Sequence, residues 1–169
     1  MRKTLLFCLS LALLIPVMVA KDDDDDHHGQ AVFLARLSGF QETPPILTGA
    51  TGDFKATLDS AGTTLTYTLT FSNLSSATTV SHIHFGQRGV AGAPMAFLCG
   101  GGGKPACPAS GTVTGTIMAT DIIGPTAQGV AVGDFAGFLR ILRSGNAYAN
   151  VHSTNFPAGE IRGQISFDD

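Results

Sequence analysis

The sequence has 169 residues, 44% of them hydrophobic, with 10 Lys and Arg against 13 Asp and Glu and a formal net charge of −3. Five of the acids form the run Asp22–Asp26, so the rest of the chain is close to neutral. With no basic face to neutralise phosphates, nucleic acid is excluded as a partner, and the length suits a single domain around one core.

Residues 1–20 read as a secretory signal, with Arg2 and Lys3 ahead of the apolar stretch Leu5–Val19 and the small Ala20 before a charged run. Cleavage near Lys21 gives an exported protein, secreted or periplasmic. No membrane association is expected after cleavage, because the apolar stretch is shorter than the roughly 20 residues of a spanning helix and no second one follows. Residues 21–29, which end in His27-His28, hold nothing apolar to bury. They are expected to form a solvated, disordered acidic leader, and the folded domain is expected over 30–169.

From Ala31 onward, short apolar alternations are punctuated by Gly, Asn and Pro, the pattern of an all-β sandwich or barrel. Strands are expected near 31–38, 50–59, 63–72, 78–85, 93–98, 110–120, 146–153 and 159–167. The clearest is the third, where Leu65, Tyr67, Leu69 and Phe71 alternate with Thr64, Thr66, Thr68 and Thr70. One segment breaks this period. Over 134–144, Phe135, Phe138, Leu139 and Leu142 fall at helical spacing, with Asp134 as N-cap and Gly145 as C-cap, so a short helix is expected before the penultimate strand.

Cys99 and Cys107 are the only cysteines after the signal, and an exported protein sits where disulfides persist. They are expected to pair across the glycine-rich stretch Gly100–Ala106, which stabilises the fold by roughly 2.5 kcal/mol for so short a ring.

Every histidine of the folded part lies in two strand-patterned segments, His82-Ile83-His84-Phe85-Gly86 and Asn150-Val151-His152-Ser153. Alternation sends Ile83, Phe85, Ala149 and Val151 to the core and turns His82, His84, Tyr148, Asn150 and His152 outward. His82 and His84 are then roughly 6.6 Å apart along one strand and can lean toward a common ion. If the two strands are neighbours, His152 completes a three-imidazole surface site. Such a site suits copper first and zinc second, and it needs neutral rings, so affinity falls below about pH 6.5. Asn150, Glu160 and Arg162 are the candidates to orient the ligands, and Glu42 is grouped with Glu160 and Arg162 as a charged cluster. The competing reading is three hydrogen-bonding histidines that orient loops. Other chemistry finds no support, since Gly103-Lys104 lacks the flanking residues of a phosphate loop, and Ser153 and His152, adjacent on a strand, face opposite sides.

The segments Gly39-Phe40-Gln41-Glu42-Thr43-Pro44-Pro45, His82-Ile83-His84-Phe85-Gly86, Gly145–His152 and Pro157-Ala158-Gly159-Glu160-Ile161-Arg162-Gly163-Gln164 together resemble the CHRD domain, the module named for chordin. The resemblance runs over about residues 30–168 and implies one β-rich extracellular or periplasmic domain. A more distant likeness is to the copper half-site of Cu/Zn superoxide dismutase. It implies a Greek-key, immunoglobulin-like or dismutase-like β-sandwich with His82, His84 and His152 as copper ligands and Arg162 near the place of an anion-guiding arginine. No histidine lies between His84 and His152, so the bridging and zinc-ligating histidines of that enzyme are missing.

Three functional readings follow. The first is metal binding or delivery without turnover, and the second is an interaction module that contacts another exported protein through a sheet face or the 86–110 loop region. The third is a superoxide-type enzyme with one copper.

Overall fold

The computed structural model describes residues 30–168. The expected signal segment and acidic leader lie outside the described residues. Nine antiparallel strands form one continuous, nearly closed sheet: β1 (Val32–Ser38), β2 (Thr51–Leu58), β3 (Leu65–Ser72), β4 (Thr78–Phe85), β5 (Ala93–Cys99), β6 (Gly111–Ile117), β7 (Ala147–Ser153), β8 (Ile161–Gln164) and β9 (Ser166–Asp168). The spatial order is β5-β4-β7-β8-β1-β2-β3-β6, with β9 pairing β1. Strands β3 to β6 make a Greek key, because the chain leaves β3, builds the β4–β5 hairpin elsewhere, and returns to lay β6 beside β3. The expected all-β architecture with one helix is the observed one.

Alternation explains why these segments are strands. In β3, Leu65, Tyr67, Leu69 and Phe71 are buried while the intervening threonines face solvent. The expected last strand is split in two at Ile165 but keeps one alternation, with Ile161 and Ile165 buried in the core and Phe167 packed against Phe33 at 5.2 Å between ring centroids. The helix α1 (Phe135–Arg143) is capped by Asp134, whose Oδ1 accepts from the Gly137 amide at 2.8 Å. It buries Phe135, Phe138, Leu139 and Leu142 in the core.

The seam between β5 and β6, where the sheet does not close by hydrogen bonding, is bridged by other groups. Tyr67 Oη donates to the Leu98 carbonyl at 2.6 Å, and the Ile123 amide donates to the Met95 carbonyl at 2.9 Å. Lys104 Nζ reaches the Thr116 carbonyl at 2.6 Å and pairs with Asp121 at 2.8 Å. Cys99 and Cys107 are joined in a disulfide as expected. Both free edges are thus occupied, which removes the pairing hazard of an open strand. No helix among the described residues is long and apolar enough to cross a membrane.

Candidate metal centre

The topology places β4 between β5 and β7, and the register does the rest. His82 stands opposite Phe97 on one side and Asn150 on the other, His84 opposite Tyr148, and His152 opposite Val80. The three expected imidazoles converge on the outer face of the β4–β7 pair. Their ring centroids are 5.2 Å (His82–His84), 5.1 Å (His82–His152) and 6.1 Å (His84–His152) apart. One nitrogen from each lies within 4.8 Å of the others.

The face is the expected one, but the exposure is not. His82, His84 and His152 are 9%, 8% and 7% exposed, so the site is a covered pocket rather than an open surface. Alternation tells which side of a sheet a residue takes and says nothing of what lies on top of it. Here the connections lie on top: all seven residues of β7 are buried. The 86–92 loop presents the Gly92 carbonyl to His84 Nδ1 at 3.0 Å, and the 154–160 segment presents the Pro157 carbonyl to His152 Nδ1 at 2.9 Å. Phe97 packs its ring 4.5 Å from that of His82. Phe97 is itself pressed by Gly101 and Gly102, where a Cβ would come within 2.5 Å of its ring.

These contacts set the tautomers. A carbonyl oxygen only accepts, so the Nδ1 atoms of His84 and His152 carry the protons and their Nε2 atoms keep lone pairs. His82 Nδ1 lies 3.2 Å from His152 Nε2 and shares one proton with it. His84 Nε2 is buried with no partner. Metal-ligating imidazoles are normally oriented in this way, through the ring nitrogen that does not bind the ion.

Electrostatics keeps the rings neutral. Burial pushes His82 down to about 3, with His84 and His152 adding repulsion. Burial also lowers His84 to about 4, against the pull of the Gly92 carbonyl and with repulsion from His152 and Arg162. His152 is lowered by burial against the Pro157 carbonyl. Each neutral ring keeps one lone pair, and the proton between His82 Nδ1 and His152 Nε2 has to move to His82 Nε2 for those two nitrogens to face one ion. On a tetrahedral ion, imidazole nitrogens about 2.0–2.1 Å from the metal stand about 3.4 Å apart. The His82 Nδ1–His152 Nε2 separation of 3.2 Å is close to this, and a nitrogen of His84 lies within 4.8 Å of both rings' ligand atoms.

The residues expected to orient the ligands divide. Asn150 is beside the trio, 2% exposed, with Nδ2 donating to Glu42 Oε1 at 2.6 Å and Oδ1 without a partner. Arg162 reaches the trio through Tyr148. The Tyr148 ring stacks on His84, and because β7 lies between β4 and β8, its other face receives the Arg162 guanidinium at 3.5 Å. That guanidinium is enclosed, donating to the Val90 carbonyl (3.0 Å), the Gln87 carbonyl (2.7 Å) and Thr43 Oγ1 (3.2 Å). It ties loops together and is not free to guide an anion, contrary to what the dismutase likeness implied.

Glu160 is not part of the trio's surroundings. Its carboxylate accepts from Thr48, Ser75 and Ser153, on the face of β7 opposite His152. Burial acts to raise its pKa, but these bonds outweigh it and hold the group below the usual carboxylate range. Glu42 occupies the position beside Asn150 instead. Burial raises its pKa to about 7 although Arg162, the Thr43 amide and Asn150 all pull it down. Gly159 makes room for this pair: its φ is +131°, and a Cβ there would lie 2.4 Å from Asn150 Nδ2 and 2.6 Å from Glu42 Oε1. The expected Glu42–Glu160–Arg162 cluster is thus two separate arrangements, and the buried Glu42–Asn150 contact was not anticipated. The Ala158-Gly159 pair in the closing motif was its only sequence signal.

Comparison with known proteins gives one family: a model described as the CHRD domain matches residues 33–165. No curated protein and no solved structure matches the chain.

Proposed function

The chain belongs to the CHRD-domain family, and from the pocket it builds on that fold we propose an exported domain that binds one copper-like ion through His82, His84 and His152, for storage or delivery rather than turnover. The observation that carries this reading is His84 Nε2. A buried polar atom left without a partner costs about 1–3 kcal/mol, and native structures rarely tolerate one without a reason. Here the unpartnered atom is a lone pair, 92% of its residue is shielded, and a ring nitrogen of His84 lies within 4.8 Å of ring nitrogens of both His82 and His152. An ion would satisfy it.

The donor set favours copper. Imidazole ligands suit both copper and zinc, and divalent copper stands above zinc in intrinsic affinity for such sites. The disulfide and the family are consistent with an extracellular or periplasmic setting. A superoxide-type activity is not part of this reading, since the Arg162 guanidinium is engaged by loop oxygens.

The test is titration of copper and zinc into the protein in a background carrying His27→Ala and His28→Ala, which removes the leader's imidazoles. One equivalent of copper should bind, and His84→Ala should weaken it at least a hundredfold. Equal binding by the two forms would sink the reading.

A second reading, an interaction module, has its own observation. Phe40, Leu47 and Val90 are 71%, 87% and 51% exposed. Phe40 and Val90 sit on loops joined through Arg162 and through the Arg88–Gln41 contact. It predicts partner capture that persists in chelator and is lost in Phe40→Ser with Val90→Ser.

A further inference from the structure

Two buried side-chain polar atoms among the described residues lack a partner, His84 Nε2 and Asn150 Oδ1. An ion accounts for the first and leaves the second unexplained. Asn150 is the direct cross-strand partner of His82, which places its Cβ about 5 Å from that of His82 on the same face. Its orientation is fixed from the far side. A carboxylate only accepts, so Glu42 Oε1 holds the amide nitrogen, and the amide oxygen is left as the free end.

The pocket wall is therefore made of acceptors: lone pairs on His84 and His152, and the oxygen of Asn150. Three imidazoles on an ion that prefers four ligands leave one position open. A group bound there beside an amide oxygen is favoured if it carries a proton to donate and disfavoured if it presents only lone pairs.

Resting on the metal-binding reading, we propose that the open position of the three-histidine site takes a small proton-bearing ligand, water in the resting protein, hydrogen-bonded to Asn150 Oδ1, and that Glu42 is the positioning residue that keeps this oxygen turned toward it. Glutamate is required over glutamine because an amide at position 42 could pair with Asn150 in either orientation. Gly159 is required because any side chain would wedge the pair apart.

Azide, an anion that offers only lone pairs, is the probe. It is titrated into the copper-loaded full-length protein carrying His27→Ala and His28→Ala, following the azide-to-copper absorption band above about pH 8, where Glu42 is ionised. Asn150→Leu should raise azide affinity about fivefold and Glu42→Gln about twofold, the scale of one hydrogen bond, with one copper still bound per chain. Unchanged azide affinity in both variants overturns the proposal while leaving metal binding intact. Loss of copper binding in Asn150→Leu also overturns it, by making the amide oxygen a ligand of the ion itself. If the unmodified site binds no copper, the metal reading has failed and this inference with it. Should Asn150→Leu not fold, the nearly isosteric Glu42→Gln decides the matter alone.

Discussion

The ring of Tyr148 lies 4.7 Å from that of His84 and within 10° of parallel to it, while its hydroxyl both donates to the Gly92 carbonyl at 3.2 Å and accepts from the Gly92 amide at 3.1 Å. The Gly92 carbonyl also takes the His84 Nδ1 proton, so one tyrosine fixes both the plane of the imidazole and the acceptor that sets its tautomer.

Removing the hydroxyl and removing the ring should therefore have different effects. Tyr148→Phe loses the Gly92 bonds at a cost of about 1 kcal/mol. Tyr148→Ala also opens a cavity under Arg162 and beside His84, and should cost about 3–5 kcal/mol. Urea unfolding measures both. Equal, small losses would show that the stack is incidental.

Stability should climb through the acid range and level off near neutral pH. The three histidines have folded values below the ordinary 6.5, about 3 and about 4 for His82 and His84. Between those values and about 6.5 the unfolded chain binds more protons than the folded one, so the stability the neutral rings contribute is complete above about pH 6.5 and is lost as pH falls. Glu42 acts in the opposite sense. Its folded value, about 7, lies above its ordinary 4.5, so its contribution is complete below about 4.5 and is lost as pH rises toward 7. Three histidines outweigh one glutamate, so unfolding midpoints measured across this range should rise with pH to a plateau. Glu42→Gln should steepen the rise between about pH 4.5 and 7, and a flat profile would count against both assignments.

Gly159→Ala should be among the most damaging single-methyl additions in the domain. It places a Cβ against the Glu42–Asn150 pair at a backbone angle that side chains avoid, with a cost of about 2–4 kcal/mol. Gly62→Ala, at a left-handed position with open space around it, should cost only about 1 kcal/mol. Thermal unfolding of the two variants side by side measures the difference, which combines the clash with the less accessible backbone angle at 159.

Copper at a hundredfold excess over its dissociation constant should stabilise the folded state by about 2.7 kcal/mol, a rise in melting temperature on the order of 10 °C. His152→Ala should abolish the rise. A shift that survives in that variant would assign the ion to another site.

The strands were legible because each carries an unbroken alternation, as β3 does, and the trio because His-x-His fixes two rings on one face. Pairing of β4 with β7 was not written in either segment, and the site was conditional on it. What alternation cannot carry is cover. The lid over His84 and His152 is made of backbone carbonyls at Gly92 and Pro157, which have no side-chain signature at all. Glu160 misled for a different reason. Counting back from Ile161 turns it outward with Arg162, yet β8 begins only at Ile161. The preceding residue, Gly159 at φ +131°, turns the chain so that the carboxylate enters beside Ser153. Glu42, on a turn with no period, gave alternation nothing to count.

The Cys99–Cys107 ring presses the glycine backbone at 101–102 onto Phe97, and Phe97 in turn backs the His82 imidazole. Opening the thiol staple would consequently slacken the wall behind one of the three imidazoles, so the packing of this pocket depends on how oxidising the surroundings are.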